Sequence, residues 1–507
     1  MNKRFALRLS IVAMIGASLI GCASNAPVTG NTAAPVAAPS AAAPLAGVTL
    51  SGVVADAAGK ASITVIDAQG KRRVQNSDAT GRYSLAADGL VAPLLLVAEA
   101  GGRQYVALLA SPAGATTANI NALTDYVASA VATGAKLDGP VSLIEAGKAP
   151  AVSAAELKAK NALLQPLLGA ALKEAGVTEA DFDPVSSKAP GLAAVLGVVR
   201  HNRGYLSSKG VLGETSLFDY NYREITSFSP LNLAAAQAEQ KTIQAPGTTR
   251  IFVAGDSTAS NYDVEVKPRM GWGQIFDRQL KDSSVKVVNV AQSGRSSRSF
   301  ITEGWFGMIE QEIRKGDYLL VQFGHNDEKC GYEPPRPAPA RDVIDIANLC
   351  TYPGAAAGVP AEMSFQKTLE KYIAIARKVG ATPVLITPVT RRSFKDGKIA
   401  ETTHTWGRGK VPGDYSQTIR DTAKANNVAL VDLDARSMAF FSSVGEEASL
   451  NYYLAVDPAV YPYYAKNTGS KTKPDNTHFQ ETGAEAVGKL VAAGLKEAKL
   501  PIADKLK

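Results

Sequence analysis

Arg250-Ile251-Phe252-Val253-Ala254-Gly255-Asp256-Ser257-Thr258 is a short apolar run rich in branched residues that ends on a polar turn. Such a run reads as a buried parallel strand, and the Gly-Asp-Ser after it marks a sharp exit that would present a serine hydroxyl at the strand's C-terminal end. Ser257 is therefore a candidate nucleophile. A single Gly-Asp-Ser occurs in many ordinary turns, so the reading depends on what the rest of the chain brings to the same edge.

Three later stretches bring the complementary chemistry, in order. Val287 to Ser296 is another apolar strand ending on a glycine, Gly294, where a backbone N–H can approach a ligand because no side chain intervenes. Tyr318 to Asp327 is a third strand, ending in Gly324-His325-Asn326-Asp327, which delivers the amide donor of Asn326. With the N–H of Ser257, these donors would make an oxyanion hole. Near the C-terminus, Asp475-Asn476-Thr477-His478 puts a carboxylate and an imidazole on one side of a helical or turn-like segment, so that Asp475 can orient the ring while His478 takes the serine proton. An ionised Asp475 there should favour the imidazolium and move the His478 pKa above its reference of about 6.5.

These blocks resemble the SGNH (GDSL-type) hydrolase superfamily, whose four blocks carry Ser, Gly, Asn and His. Gly255-Asp256-Ser257-Thr258, Gly271-Trp272-Gly273-Gln274, Gly294-Arg295-Ser296-Ser297-Arg298-Ser299, Gly324-His325-Asn326-Asp327 and the Asp475/His478 pair are most similar to the rhamnogalacturonan acetylesterases, over roughly Thr249 to Lys499. The resemblance implies an α/β fold: a flavodoxin-like three-layer sandwich around a parallel five-stranded sheet. It also implies a serine esterase that deacetylates plant cell-wall polysaccharide, acetylated rhamnogalacturonan or pectin. Ester rather than amide cleavage follows from the resemblance alone, since the triad would permit either. The nearest alternative is an SGNH esterase acting on xylan or lipid esters, and a lipid-tethered glycan-binding protein without activity is the alternative from another class. Trp272 and the cations Arg269, Arg295, Arg298, Arg391 and Arg392 are candidate substrate contacts, although the Gly-Arg-Ser block could instead anchor its own loop. Asp256 and Asp327 are assigned to hydrogen-bonding the turn backbone.

At 507 residues with 46% hydrophobic content, the chain can bury more than one core and should divide into two or three domains. Residues 1–21 have a basic start, an apolar stretch from Leu9 to Ile20 and a small residue before Cys22, the pattern of a secretory signal. Its ending resembles a bacterial lipobox, which would make Cys22 the acylated first residue of a lipoprotein of the cell envelope. Ala23 then points to the outer membrane of a Gram-negative host; a plain signal peptide is the alternative. The net charge of +7 falls to +4 once Lys3, Arg4 and Arg8 are discounted, a mild bias that does not imply nucleic acid.

Residues 22–46 are Ala, Pro, Ser, Thr and Asn with almost nothing large, a flexible tether. Residues 47–117 carry short strand-like runs separated by Gly, Asp and Asn turns, a small β-sandwich. Within it, Asp78 to Leu85 resembles the Gly-x-Tyr-x-Leu hairpin of carboxypeptidase-regulatory-like modules. The module is read as a spacer or docking element, with sugar binding as the alternative. Residues 118–242 turn helical, with apolar residues recurring at three and four and no evident chemistry; His201 reads as a surface or interfacial histidine. Ala234 to Thr249 looks like an entry linker, and residues 243–507 alternate strands and helices in the order of a parallel sheet covered on both faces.

Two long interruptions should wall the site. Lys329 to Ala361 holds Cys330 and Cys350; a disulfide between them would clamp the loop by roughly 3 kcal/mol, and two reduced thiols are the alternative. Thr390 to Pro412 holds Arg391, Arg392, Lys395, His404 and Trp406, suited to an anionic polymer or to simple solvation. The four histidines show no metal-ligand spacing, so neither metal nor cofactor is expected. The expected partners are an acetylated polysaccharide and, through the lipid, a membrane; the chain is expected to be a monomer.

Overall fold

The computed structural model describes residues 43–55, 60–203, 214–329, 349–353, 361–399, 404–406 and 413–507. Its first strands are β1 (Thr49–Val53), β2 (Ser62–Asp67), β3 (Arg72–Asn76), β4 (Arg82–Ala86), β5 (Leu94–Ala100), β6 (Arg103–Leu109) and β7 (Ala115–Thr117). They form two sheets, ordered β4-β1-β7 and β3-β2-β5-β6, around a shared apolar core that includes Leu50, Ile63, Leu85, Leu96 and Ile120. β3 was not legible as a strand because its side chains, Arg-Arg-Val-Gln-Asn, stay mostly in solvent. The Asp78 carboxylate accepts the N–H groups of Thr80 and Arg82 at the β3–β4 turn. Gly81, at φ +79°, has no room for a side chain, since a Cβ there would lie 2.4 Å from the Val54 carbonyl oxygen.

Helices α1 (Ala122–Gly134), α2 (Pro140–Glu145), α3 (Ala154–Asn161), α4 (Gln165–Glu174) and α5 (Leu192–Leu196) follow. Asn121 caps α1 in a reciprocal capping box with Thr124, and Ser153 caps α3. Two features correct the sequence reading. Of the two settings read for His201, surface or interfacial, only the first is overturned: the residue is buried on the hairpin β8 (Arg200–Arg203) and β9 (Thr215–Phe218), its ring 4.8 Å from that of Tyr105 on β6. Burial pushes its pKa down to about 4, against the attraction of the nearby Asp125 carboxylate. The expected entry linker is largely a helix, α6 (Leu233–Gln244), capped by the Asn232 side chain and burying Leu233, Ala236 and Ile243.

The chain then enters β10 (Thr249–Gly255), β11 (Val285–Asn289), β12 (Tyr318–Gln322), β13 (Thr382–Ile386) and β14 (Ala429–Val431), which pair entirely in parallel in the order β11-β10-β12-β13-β14. Alternation along the strands divides their side chains between two cores. Phe252, Val288, Leu319, Val321 and Leu385 pack beneath α7 (Ser297–Thr302), α8 (Trp305–Glu312), α9 (Phe365–Val379) and α10 (Tyr415–Ala425). Ile251, Val253, Val287, Leu320 and Ile386 pack beneath the 3₁₀ segment Trp272–Gln279, α11 (Leu433–Val444) and α12 (Glu481–Glu497). Covering both faces explains the unbroken apolar strands, and each fully buried Ile, Val, Leu or Phe contributes about 1.5–3 kcal/mol. Apolar spacing predicts an α-helix around Gln274 to Lys281; the structure instead has the 3₁₀ segment Trp272–Gln279, interrupted at Ile275. This flavodoxin-like three-layer arrangement places the ends of β10, β11 and β12 at one sheet edge, where open parallel sheets bind ligands.

Candidate active site

Ser257 stands two residues past β10, in a turn fixed by its neighbours. The Asp256 carboxylate accepts the Thr258 N–H at 2.9 Å and the Thr258 hydroxyl at 2.7 Å, while the Asp256 carbonyl accepts the N–H groups of Ala259 and Ser260. Thr258 is tied in turn to the side chain of Gln322 at the end of β12. The Ser257 hydroxyl is left 2.9 Å from His478 Nε2, and His478 Nδ1 lies 2.7 Å from Asp475 Oδ2. The other oxygen of Asp475 accepts the N–H groups of Thr477 and His478, which makes the three-residue spacing a closed turn. Reciprocal bonds from Asp475 N to Leu454 O and from Leu454 N to His478 O hold that turn to the body of the domain.

Burial alone would raise the Asp475 pKa, but the bonds and charge of His478 and the two backbone N–H groups hold it well below the usual carboxylate range. His478 departs from expectation: its pKa is lowered rather than raised, because burial and then the Arg269 guanidinium outweigh Asp475. The ring is thus neutral, able to accept a proton at Nε2, over more of the acid range than an exposed histidine.

The expected oxyanion donors lie at the next two strand ends. Gly294 has φ +81° with open space where a Cβ would stand, so the glycine is required by backbone conformation rather than crowding. Asn326 is buried and its Nδ2 donates to the Arg295 carbonyl at 2.9 Å, while its Oδ1 accepts from Lys329 at 2.7 Å. Those two bonds fix the amide and leave its second N–H available. Neither the Ser257 N–H nor the Gly294 N–H donates to another described residue. Residues 253–486 match the GDSL-like lipase/acylhydrolase family. The rhamnogalacturonan acetylesterase RhgT of Bacillus subtilis (strain 168) is 36% identical over 258 residues, covering 51% of this chain and 94% of that protein. The chain belongs to the GDSL-like lipase/acylhydrolase family.

As a member of that family it is a carboxylic ester hydrolase. The same bacterium's probable rhamnogalacturonan acetylesterase YesY is 34% identical over 256 residues, covering 50% of this chain and 96% of that protein. The crystal structure of the B. subtilis protein YxiM is 25% identical with a TM-score of 0.37, covering 50% of this chain and 58% of that one.

Two of the expected substrate contacts of this GDSL hydrolase serve the scaffold instead. Trp272 is fully buried, and its indole N–H donates to Gln322 Oε1 at 2.7 Å, so it braces the nucleophile turn from below and cannot touch a polysaccharide. A Cβ at Gly271 or Gly273 would stand 2.3 Å from Ser260 O or 2.6 Å from Ala259 O, which explains the glycines on either side of it. Arg295 is also buried, bound to Glu303 at 2.7 Å and to the Ser293 carbonyl at 2.8 Å, so the Gly-Arg-Ser block anchors its own loop. Arg298 is half-buried. Arg391 pairs with Glu328, and Arg392 binds Ser449 and the Glu446 carbonyl, both guanidinium groups keeping some surface in solvent. Trp406 lies in a two-residue strand, Thr405–Trp406, paired with Gly413–Asp414. Cys350 is buried and disulfide-bonded. Cys330 and Cys22 lie outside the described residues, as does much of both rim loops.

Other residues around the site support these turns, Tyr262 from outside the quoted blocks and His325 and Asp327 from within one of them. Tyr262 donates its hydroxyl to the Ser257 carbonyl at 2.7 Å. His325 Nδ1 is 3.1 Å from Asp256 Oδ2, joining the turn that holds Ser257 to the turn that holds Asn326. Burial pushes the His325 pKa down to about 4, so the ring is neutral and Nδ1 is the donor. Asp327 accepts the N–H and hydroxyl of Ser297 and the hydroxyl of Thr351. Burial still pushes its pKa up to about 7.

Proposed function

We propose that this esterase removes acetyl groups from an acidic plant cell-wall polysaccharide of the rhamnogalacturonan or pectin type. The observation that carries the mechanism is the continuous line from Asp475 through His478 to the Ser257 hydroxyl, at 2.7 and 2.9 Å, beside two unengaged backbone N–H groups. Ser257 Oγ attacks the acetyl carbonyl as its proton passes to His478 Nε2, and Asp475 holds the ring and favours the imidazolium that forms. The Ser257 N–H, the Gly294 N–H and the Asn326 amide receive the developing oxyanion. His478 then gives the proton to the departing sugar hydroxyl, and water hydrolyses the acetyl-enzyme by the same relay in reverse. The acetyl preference and the polysaccharide class are supported by the two relatives named rhamnogalacturonan acetylesterases. The enzyme acts outside the cytoplasm, exported by residues 1–21 and held by lipid on Cys22.

Acetate release from acetylated rhamnogalacturonan, acetylated xylan and a triglyceride, with Ser257→Ala beside the wild type, tests the reading. The wild type should favour the first substrate, and a folded Ser257→Ala protein should lose about three or more orders of magnitude in kcat. Wild-type turnover by that variant would remove Ser257 from the mechanism, and a preference for triglyceride would replace the substrate class.

A further inference from the structure

Arg269 differs from the other cations around the triad. Arg295, Arg391 and Arg392 each hold an acid or a main-chain carbonyl of the protein. The Arg269 guanidinium makes no hydrogen bond or ion pair with any described residue, and its Nε is shielded from solvent without a partner. Instead it lies over the ring of Tyr262, Cζ 4.5 Å from the centroid. Two features place this cation at the catalytic edge. The Arg269 backbone pairs with Gln480, two residues beyond His478, and Tyr262 is bonded through its hydroxyl to the Ser257 carbonyl. Tyr464, whose hydroxyl bonds the Val266 carbonyl, and Tyr463, packed edge-on to it at 5.1 Å, add aromatic surface next to the same segment.

A guanidinium resting over a ring can still offer its two terminal NH₂ groups, and that planar pair matches a carboxylate in two parallel bonds. Leaving such a group partly desolvated and unpaired is costly, and an acetyl ester, being neutral, gives no return for it. An anionic substituent on the substrate does. We propose that Arg269, presented by Tyr262, selects acetylated sugars that lie next to a free carboxylate, making the enzyme specific for polyuronates over neutral glycans. This rests on the acetylated acidic polysaccharide reading above.

The test uses one acetylated pectic oligosaccharide in two forms, carboxylates free and carboxylates methyl-esterified, with acetate release followed at least one pH unit above the acid limb of activity. The wild type should favour the free acid by about tenfold or more in kcat/KM, the value of a charged hydrogen-bond pair. Arg269→Gln should bring that ratio close to one, and Arg269→Lys, which keeps the charge but loses the planar fork, should retain part of it. Raising salt should erode the preference in the wild type and leave the Gln variant's ratio unmoved. An undiminished preference in Arg269→Gln, or in Arg269→Lys and Arg269→Met should the Gln protein not fold, would overturn the assignment. So would equal wild-type rates on the two forms, which would leave the acetylesterase reading standing. Hydrolysis of p-nitrophenyl acetate with no acetate release from either oligosaccharide would instead defeat the polysaccharide reading, and this inference with it.

Discussion

His478 sits between opposed electrostatic influences. Asp475, at 2.7 Å, favours the imidazolium; burial and the Arg269 guanidinium favour the neutral ring, and together they prevail. Because the folded protein binds this proton less readily than an exposed imidazole does, the acid limb of kcat/KM should lie below about pH 6.5. Below the limb, activity should fall about tenfold per pH unit with one proton. Asp475, held well below the ordinary range, should add no second proton in that window. A wild-type limb at pH 7 or above would show that the carboxylate dominates and that the balance described here is wrong. The groups proposed for catalysis could be picked out in the sequence because acyl transfer needs a nucleophile, a base, an orienting acid and N–H donors, and the structure brings Ser257, His478 and Asp475 into one hydrogen-bonded line. The direction of the His478 shift was not legible. It depends on Arg269, brought alongside by pairing with Gln480 across a long stretch of chain, and on burial that no local pattern reports.

Among the elements, β10 has the most consequential start. Arg250 opens the strand with its guanidinium against Asp317, at 2.6 Å, and against the Glu312 carbonyl, with both side chains almost wholly buried. Asp317 also accepts the backbone N–H of Arg250 and of Arg314, so one carboxylate ties the entries of β10 and β12 together. Removing one partner strands the other charge in the interior. Asp317→Ala should therefore cost about 3–5 kcal/mol in chemical denaturation. Arg278→Ala, which removes the exposed pairs to Glu481 and Glu485, should cost no more than about 1 kcal/mol. Equal midpoints for the two variants would mean that the buried pair does not secure the sheet. Elements with strong local periodicity were legible: α10 spans Tyr415–Ala425 and α9 spans Phe365–Val379, as their apolar spacing predicts. Those defined by tertiary packing were not. The α6 helix is polar enough to pass for a linker, and the segment Trp272–Gln279 takes 3₁₀ form where Trp272 must reach Gln322 beneath the nucleophile turn.

On the scale of the whole molecule, the proposed function requires something that holds the esterase beside a polymer. No helix among the described residues is long and apolar enough to cross a membrane. The proposed anchor is instead chemical: lipid on Cys22, followed by a Pro-, Ala- and Ser-rich segment up to residue 46. Each buried lipid CH₂ contributes about 0.8 kcal/mol, so one acyl chain holds marginally and two or more hold firmly. Cys22→Ser should accordingly convert a protein that sediments with membranes and partitions into detergent into one that stays in the aqueous phase. Its specific activity on a small ester such as p-nitrophenyl acetate should be unchanged, because Cys22 precedes the segment that bears Ser257 and His478 by more than the length of the tether. A correctly exported Cys22→Ser protein that still sediments with membranes would place the attachment elsewhere in the chain. If the same variant left the membrane but also lost small-ester turnover, residues 22–46 would have to do more than tether.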